Sequence, residues 1–311
     1  MKQAKKSHAV DAELLEETKK KPLWRRVFGV ALKLGLTALA LTLVFTRIDI
    51  QLIWQQIHAV PLPYIVVAFV SLLLSQIVSA ARMRYYFSQA GHPLKLQFCI
   101  PMYLTGAMVN LVLPGSISGD GYKALFLKKY KKIPALRALK LALSERANGL
   151  FFLLLIALVC AAVSDVASHI PYARPALAAL VILLIPAYGI SARLILKEAP
   201  RTMIGASRFS AVSQSMVAFG AYILFVAIVP PHQLMEYLAI FMVSNVIAIL
   251  PLSIGGVGLR ELTFYYCAVW FGLPAEQGVA ASLIFFAVHV LVAMTGAFFI
   301  THLKDISKRY E

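Results

Sequence analysis

Apolar residues fall along this chain in long blocks, near 27–46, 62–81, 96–113, 141–163, 175–196, 211–229, 234–250 and 279–300. Blocks of that length suit a hydrocarbon core of about 30 Å. They predict helices, because an open strand would leave backbone groups unsatisfied in lipid. The polar positions between the blocks are unevenly charged. Basic residues gather at 2–26, at Arg82, Arg84 and Lys95, at 123–140, at 193–208, and at Lys304, Lys308 and Arg309. The intervening connections, 47–61, 164–174, 230–233 and 271–278, hold only Arg47 and Arg174. The positive-inside rule then puts the first group and both termini in the cytoplasm.

Counting every block as a crossing breaks that assignment. Block 96–113 begins beside Lys95, and the chain is basic again at "KKYKK", 128–132. The return leg, 115–127, is too short to cross about 30 Å at about 1.5 Å per residue. Segment 96–127 is therefore expected to be a re-entrant hairpin with its tip at "PGSISGDG", where Pro114 ends one helix and glycines permit the reversal. The motif recurs as "LPLSIGGVGLR" at 250–260, so that Lys123 corresponds to Arg260, 137 positions on. The second hairpin starts from the poorly basic side, with an odd number of crossings between the two.

The predicted fold is an all-α integral membrane protein: about six full spans plus two re-entrant helical hairpins in an inverted-topology repeat. A cytoplasmic tail is expected at 1–24, the membrane domain at 25–301 (repeat one about 25–165, repeat two about 173–301), and a second tail at 302–311. A composition of 60% hydrophobic residues and a mean hydropathy of +0.78 agree with this class. The net charge of +16 does not imply nucleic acid, since no polar segment is long enough for a soluble binding domain. The three cysteines, Cys99, Cys160 and Cys267, lie in apolar blocks without metal-ligand spacing, so no metal or cofactor is expected.

Each tip leads into a new helix whose first turn carries a cation, Lys123 or Arg260. Helix N-termini present unpaired N–H groups and partial positive charge, so two such ends form a candidate anion cradle. Asp120 requires a partner at membrane depth. In "LSERANGL", Glu145 and Arg146 point about 100° apart on a helix and need partners elsewhere. The hairpins offer Asp120 or Glu261 to Arg146, and Lys123 or Arg260 to Glu145. The alternative readings are a helix N-cap for Asp120 and structural interhelical bridges for Glu145 and Arg146. The candidate substrate-binding set is Pro114, Ser116, Gly119, Asp120, Gly121, Lys123, Glu145, Arg146, Asn148, Ser253, Gly256, Gly258, Arg260 and Glu261.

Together "LPGSISGDGYKALFL", "SERANGL" and "LPLSIGGVGLRE" resemble the transmembrane domain of the lysylphosphatidylglycerol synthase/flippase family over roughly 25–301, with a departure at Ser118, where the family more often has glycine. The resemblance implies traffic of a lipid between leaflets. No aminoacyl-transferase domain is expected before the chain ends at Glu311, so synthase activity is not carried over. The expectation is a non-enzymatic, multi-pass protein of the cytoplasmic (inner) membrane that moves an anionic phospholipid or polyprenyl-phosphate lipid by alternating access. The alternatives are a noncatalytic accessory protein partnering envelope-synthesis enzymes, and an intramembrane lipid-modifying enzyme using Asp120 and Glu145.

Overall fold

The computed structural model describes residues 23–112, 118–164, 171–193, 200–249 and 256–309. Among the described residues the regular structure is helical, with no strand. In the first half, α1 (Leu23–Phe45), α2 (Ile50–Ala59) and α3 (Leu62–Gln89) precede α4 (Leu96–Val112), α5 (Ser118–Lys131) and α6 (Ala135–Val163). The second half contains α7 (Ala173–Ser191), α8 (Pro200–Val226), α9 (Leu234–Ala248), α10 (Leu259–Trp270) and α11 (Ala275–Ile300), and α12 (Leu303–Arg309) follows. The protein is an all-α integral membrane protein. Five helices, α3, α6, α7, α8 and α11, are long and apolar enough to cross a bilayer, and α1 with α2, bent by 90° at their junction, makes six if the pair is one span.

Helix ends depart from the apolar blocks in one consistent way. Helix α3 runs to Gln89, past Arg82 and Arg84, and α8 starts at Pro200, inside the basic segment. A helix satisfies its own backbone hydrogen bonds, so it continues through polar residues that hydropathy assigns to connections. The expected connection 47–61 likewise contains α2, whose N-cap Asp49 accepts from the N–H of Gln51 at 2.8 Å and of Leu52 at 3.4 Å.

Helices α4 and α5 pack on each other, as do α9 and α10. Helix α5 has 14 residues and α10 has 12, giving lengths of about 21 and 18 Å, well short of about 30 Å. The pairings of one half recur in the other: α4 on α11 and α6 on α9, α3 on α4 and α8 on α9, α5 on α6 and α10 on α11, α3 on α11 and α8 on α6. Helices α3 and α8, which correspond in this scheme, share the most extensive contact. Small polar residues allow their approach: Ser71 donates to the carbonyl of Met216 at 2.7 Å, and Ser79 pairs with Ser213 at 2.9 Å.

Two apolar cores hold the hairpins. One joins Phe225, Tyr237, Phe241, Phe264 and Phe285 of the second half, and Gly278 leaves the space that the Phe264 ring fills. The other joins Phe98, Met102, Phe126 and Leu127 around α4 and α5. Gly296 of α11 lies against the backbone of Leu104 and Thr105 in α4. Helix α7 is the most lipid-facing element; Ile182 and Leu183 on it are 69% and 63% exposed.

Candidate functional site

The first hairpin is closed by a side chain near the end of its descending helix. Asn110 accepts a hydrogen bond from the Gly119 N–H at 2.7 Å and one from the Ser118 hydroxyl at 3.4 Å, capping the start of α5 from the opposite leg. Gly119 makes this approach possible, since a Cβ there would strike the Gly106 carbonyl and the Asn110 amide. Gly106 in turn gives room to Lys123: a Cβ at Gly106 would stand 3.1 Å from the Lys123 Cδ.

The closed hairpin brings its two charges together one turn apart. Lys123 Nζ lies 2.7 Å from Asp120 Oδ1 and 4.6 Å from the centre of the Tyr103 ring. The other Asp120 oxygen accepts from Nε of Arg146 on α6. Asp120 and Lys123 are buried, whereas the Arg146 side chain is 34% exposed. Beside Arg146, Glu145 turns to Arg82 of α3 at 3.4 Å, and Arg82 also donates to Ser210 of α8 at 2.7 Å. Three cations against two carboxylates leave the cluster one positive charge in surplus.

These side chains line a cavity of about 340 Å³ between α3, α4, α5, α6, α8 and α11, within the range of small-molecule sites. Its wall also includes Tyr103, Asn110, Gln76, Gln214 and His289. Such a concentration of ionisable groups buried inside a helical bundle is expensive for a merely structural helix seam.

The family model described as lysylphosphatidylglycerol synthase TM region matches residues 30–197 and 188–296. The chain belongs to that family. A comparison with curated proteins found no match.

In this lysylphosphatidylglycerol synthase TM-region protein, the cavity gathers four of the residues singled out in the sequence: Asp120, Lys123, Glu145 and Arg146. Arg146 takes Asp120, one of the two partners foreseen for it; Glu145 takes Arg82 in place of Lys123 or Arg260. Gly119 and Gly121 sit at the start of α5 without lining the cavity. Asn148 faces away from it, donating to the Tyr188 hydroxyl at 2.6 Å and to Ser207 at 3.3 Å, so it fastens α6 to α7 and α8. Pro114, Ser116 and Ser253 lie outside the described residues.

The second hairpin is built differently. Gly258 has φ of 84°, and its N–H donates to Glu261 at 2.8 Å, capping α10. A Cβ at Gly258 would lie 3.0 Å from the Thr37 carbonyl of α1, so only glycine suits both the backbone and the contact. Arg260 is 5% exposed, with Nε 3.4 Å from Glu261 and its guanidinium 5.3 Å from the Phe286 ring. Ser282 donates to Glu261 at 3.2 Å. Gly256, Gly258, Arg260 and Glu261 therefore form a cap and an ion pair behind the cavity wall, of which Ile249 is the described contribution from this hairpin. Arg260 is not among the described residues that line the cavity.

Sequence reasoning missed Arg82, which charge counting assigned to the cytoplasmic edge, and the glutamines Gln76 and Gln214. A signal for the latter existed. The dipeptide Ser75-Gln76 recurs as Ser213-Gln214, 138 positions on, with Ala80 matched by Ala218.

Proposed function

We propose that this protein moves an anionic lipid across the cytoplasmic membrane, the head group passing through the cavity while the acyl chains stay in lipid. The observation that carries the reading is the surplus positive charge of a buried cluster at the mouth of a helical hairpin. Arg146 is the cation best placed to leave its carboxylate for a phosphate, because Asp120 keeps Lys123 and the Arg146 side chain is already a third exposed. No covalent step is proposed: both carboxylates of the cluster are engaged by cations, which suits a binding site better than a general base. The short hairpin legs and the recurring helix pairings support an inverted repeat that rocks about this site.

Purified protein in proteoliposomes with a leaflet-specific lipid reporter tests the proposal. Redistribution of chemically unchanged lipid is expected. A modified lipid would favour the enzymatic alternative, and neither outcome would favour an accessory protein. Orientation is tested separately by cysteine labelling. Lys129→Cys, in the last turn of the first hairpin's second leg, and His232→Cys, ahead of the second hairpin, are at exposed positions and are expected to react from opposite faces, Lys129→Cys from the cytoplasm. Labelling of both from one face would remove the inverted arrangement.

A further inference from the structure

One side chain of the cavity lining titrates near neutrality and has no task in the ion-pair network. His289 stands near the middle of α11, a candidate span, and lines the same cavity as Asp120, Lys123, Glu145 and Arg146. It is half-buried and makes no hydrogen bond or ion pair with another described residue. The charges around it are engaged elsewhere. Arg82 of α3 pairs with Glu145 of α6, and Asp120 of α5 holds both Lys123 and Arg146. The Tyr103 ring of α4 lies under the Lys123 ammonium. Behind the wall, α10 sets Arg260 against Phe286, three residues before His289, and Arg260 leans on Glu261. Helices α2, α8 and α9, which also touch α11, give no ionisable group to the described lining.

Imidazole ordinarily changes charge between about pH 5 and 8. In the empty cavity both carboxylates that could hold it as a cation are taken. An anion entering alters that balance. It brings negative charge into a space of about 340 Å³ of which His289 is part of the wall, and an opposite charge nearby favours the protonated ring. Across about 10 Å, at an effective dielectric constant of about 20, the attraction is about three times thermal energy. That changes the protonation equilibrium on the order of tenfold. By reciprocity the proton strengthens binding of the anion by the same factor.

Building on the lipid-transport reading, we infer that His289 takes up a proton from water when an anionic head group occupies the cavity, so that lipid and proton are bound together. The proton goes to the unprotonated ring nitrogen, and no bond of the lipid forms or breaks. The first half of the chain then supplies the charges that receive the anion, and the second half supplies the group that receives the proton.

The probe is dioctanoyl phosphatidylglycerol, whose phosphodiester does not itself titrate near neutrality. Its binding to the purified full chain in mixed micelles is followed by titration calorimetry in two buffers of unlike ionisation enthalpy, which counts the protons exchanged. Uptake of about half a proton per lipid at the maximum is expected, the amount that a tenfold linkage produces. Loading holds the proton more tightly, so affinity should rise on the order of tenfold as pH falls from about 8.5 to about 5.5. His289→Gln and His289→Asn keep a polar side chain that does not titrate in this range. Both are expected to lose most of the pH dependence, with uptake reduced to whatever exposed His58, His232 and His302 contribute, since these remain in every variant. Affinity of the unaltered protein that is indifferent to pH overturns the inference whether or not the variants fold. So does the absence of binding, binding without proton uptake, or undiminished uptake in both variants. Proton-linked binding in a protein that moves no lipid between leaflets would instead overturn transport and leave the inference standing.

Discussion

Asp120→Ala removes the one carboxylate that two cations share, and its cost follows from what remains. At 2.7 Å and an effective dielectric constant of about 20, the Asp120–Lys123 attraction is about 6 kcal/mol. Most of that offsets the desolvation of two buried ions, so the net worth of the pair is small. Deleting only the carboxylate forfeits the attraction but leaves the Lys123 ammonium, with a side chain 9% exposed, where it was. Removal of one partner from such a pair costs about 3–5 kcal/mol. Arg146 adds little to the loss, because its exposed side chain can regain solvent. Reversible unfolding in mixed micelles is expected to show Asp120→Ala destabilised by about 3 kcal/mol or more, and the D120A/K123M double variant recovering most of it. The reasoning is refuted if the single variant lies within about 0.5 kcal/mol of the parent, or if the two substitutions simply add.

Three further outcomes are expected. Asn110→Ala strips the cap from the Gly119 N–H and should lower stability by about 1 kcal/mol in the same unfolding assay. Gly296→Val drives a side chain into the Leu104 carbonyl, and should cost about 1–3 kcal/mol, seen as a lower thermal midpoint. Arg146→Ala should stop lipid redistribution in proteoliposomes with membrane insertion intact. Arg260→Ala, which leaves the lining residues in place, should keep lipid retention by native mass spectrometry; loss of retention would put Arg260 in direct contact with the ligand.

The membrane class was legible because lipid demands long apolar blocks, and the first hairpin because proline, glycine and a short return leg leave the chain no other path. The Arg146–Asp120 pair was legible for a related reason: an intramembrane charge must find an opposite one, and few were available. The same logic failed for Glu145. Arg82 follows immediately after an apolar block, and hydropathy cannot tell a charge at a helix's lipid boundary from one turned into the bundle. Asn110 was invisible because its role depends on two helices meeting nine residues apart in sequence, which no single-helix periodicity encodes. Gln76 and Gln214 carry a repeat signal of two common residues, meaningful only once α3 and α8 are known to pack together.

Every acid and every cation of the cavity cluster comes from the first half of the chain, while the two unengaged glutamines are divided evenly between the halves. The helix pairings recur in both halves, but the charge they surround is supplied by one of them. The later half is no spare for the earlier one: at the positions matching Asp120, Glu145 and Arg146 it carries Val257, Ser282 and Leu283, so a bundle built from two copies of it would lack both carboxylates of the cavity.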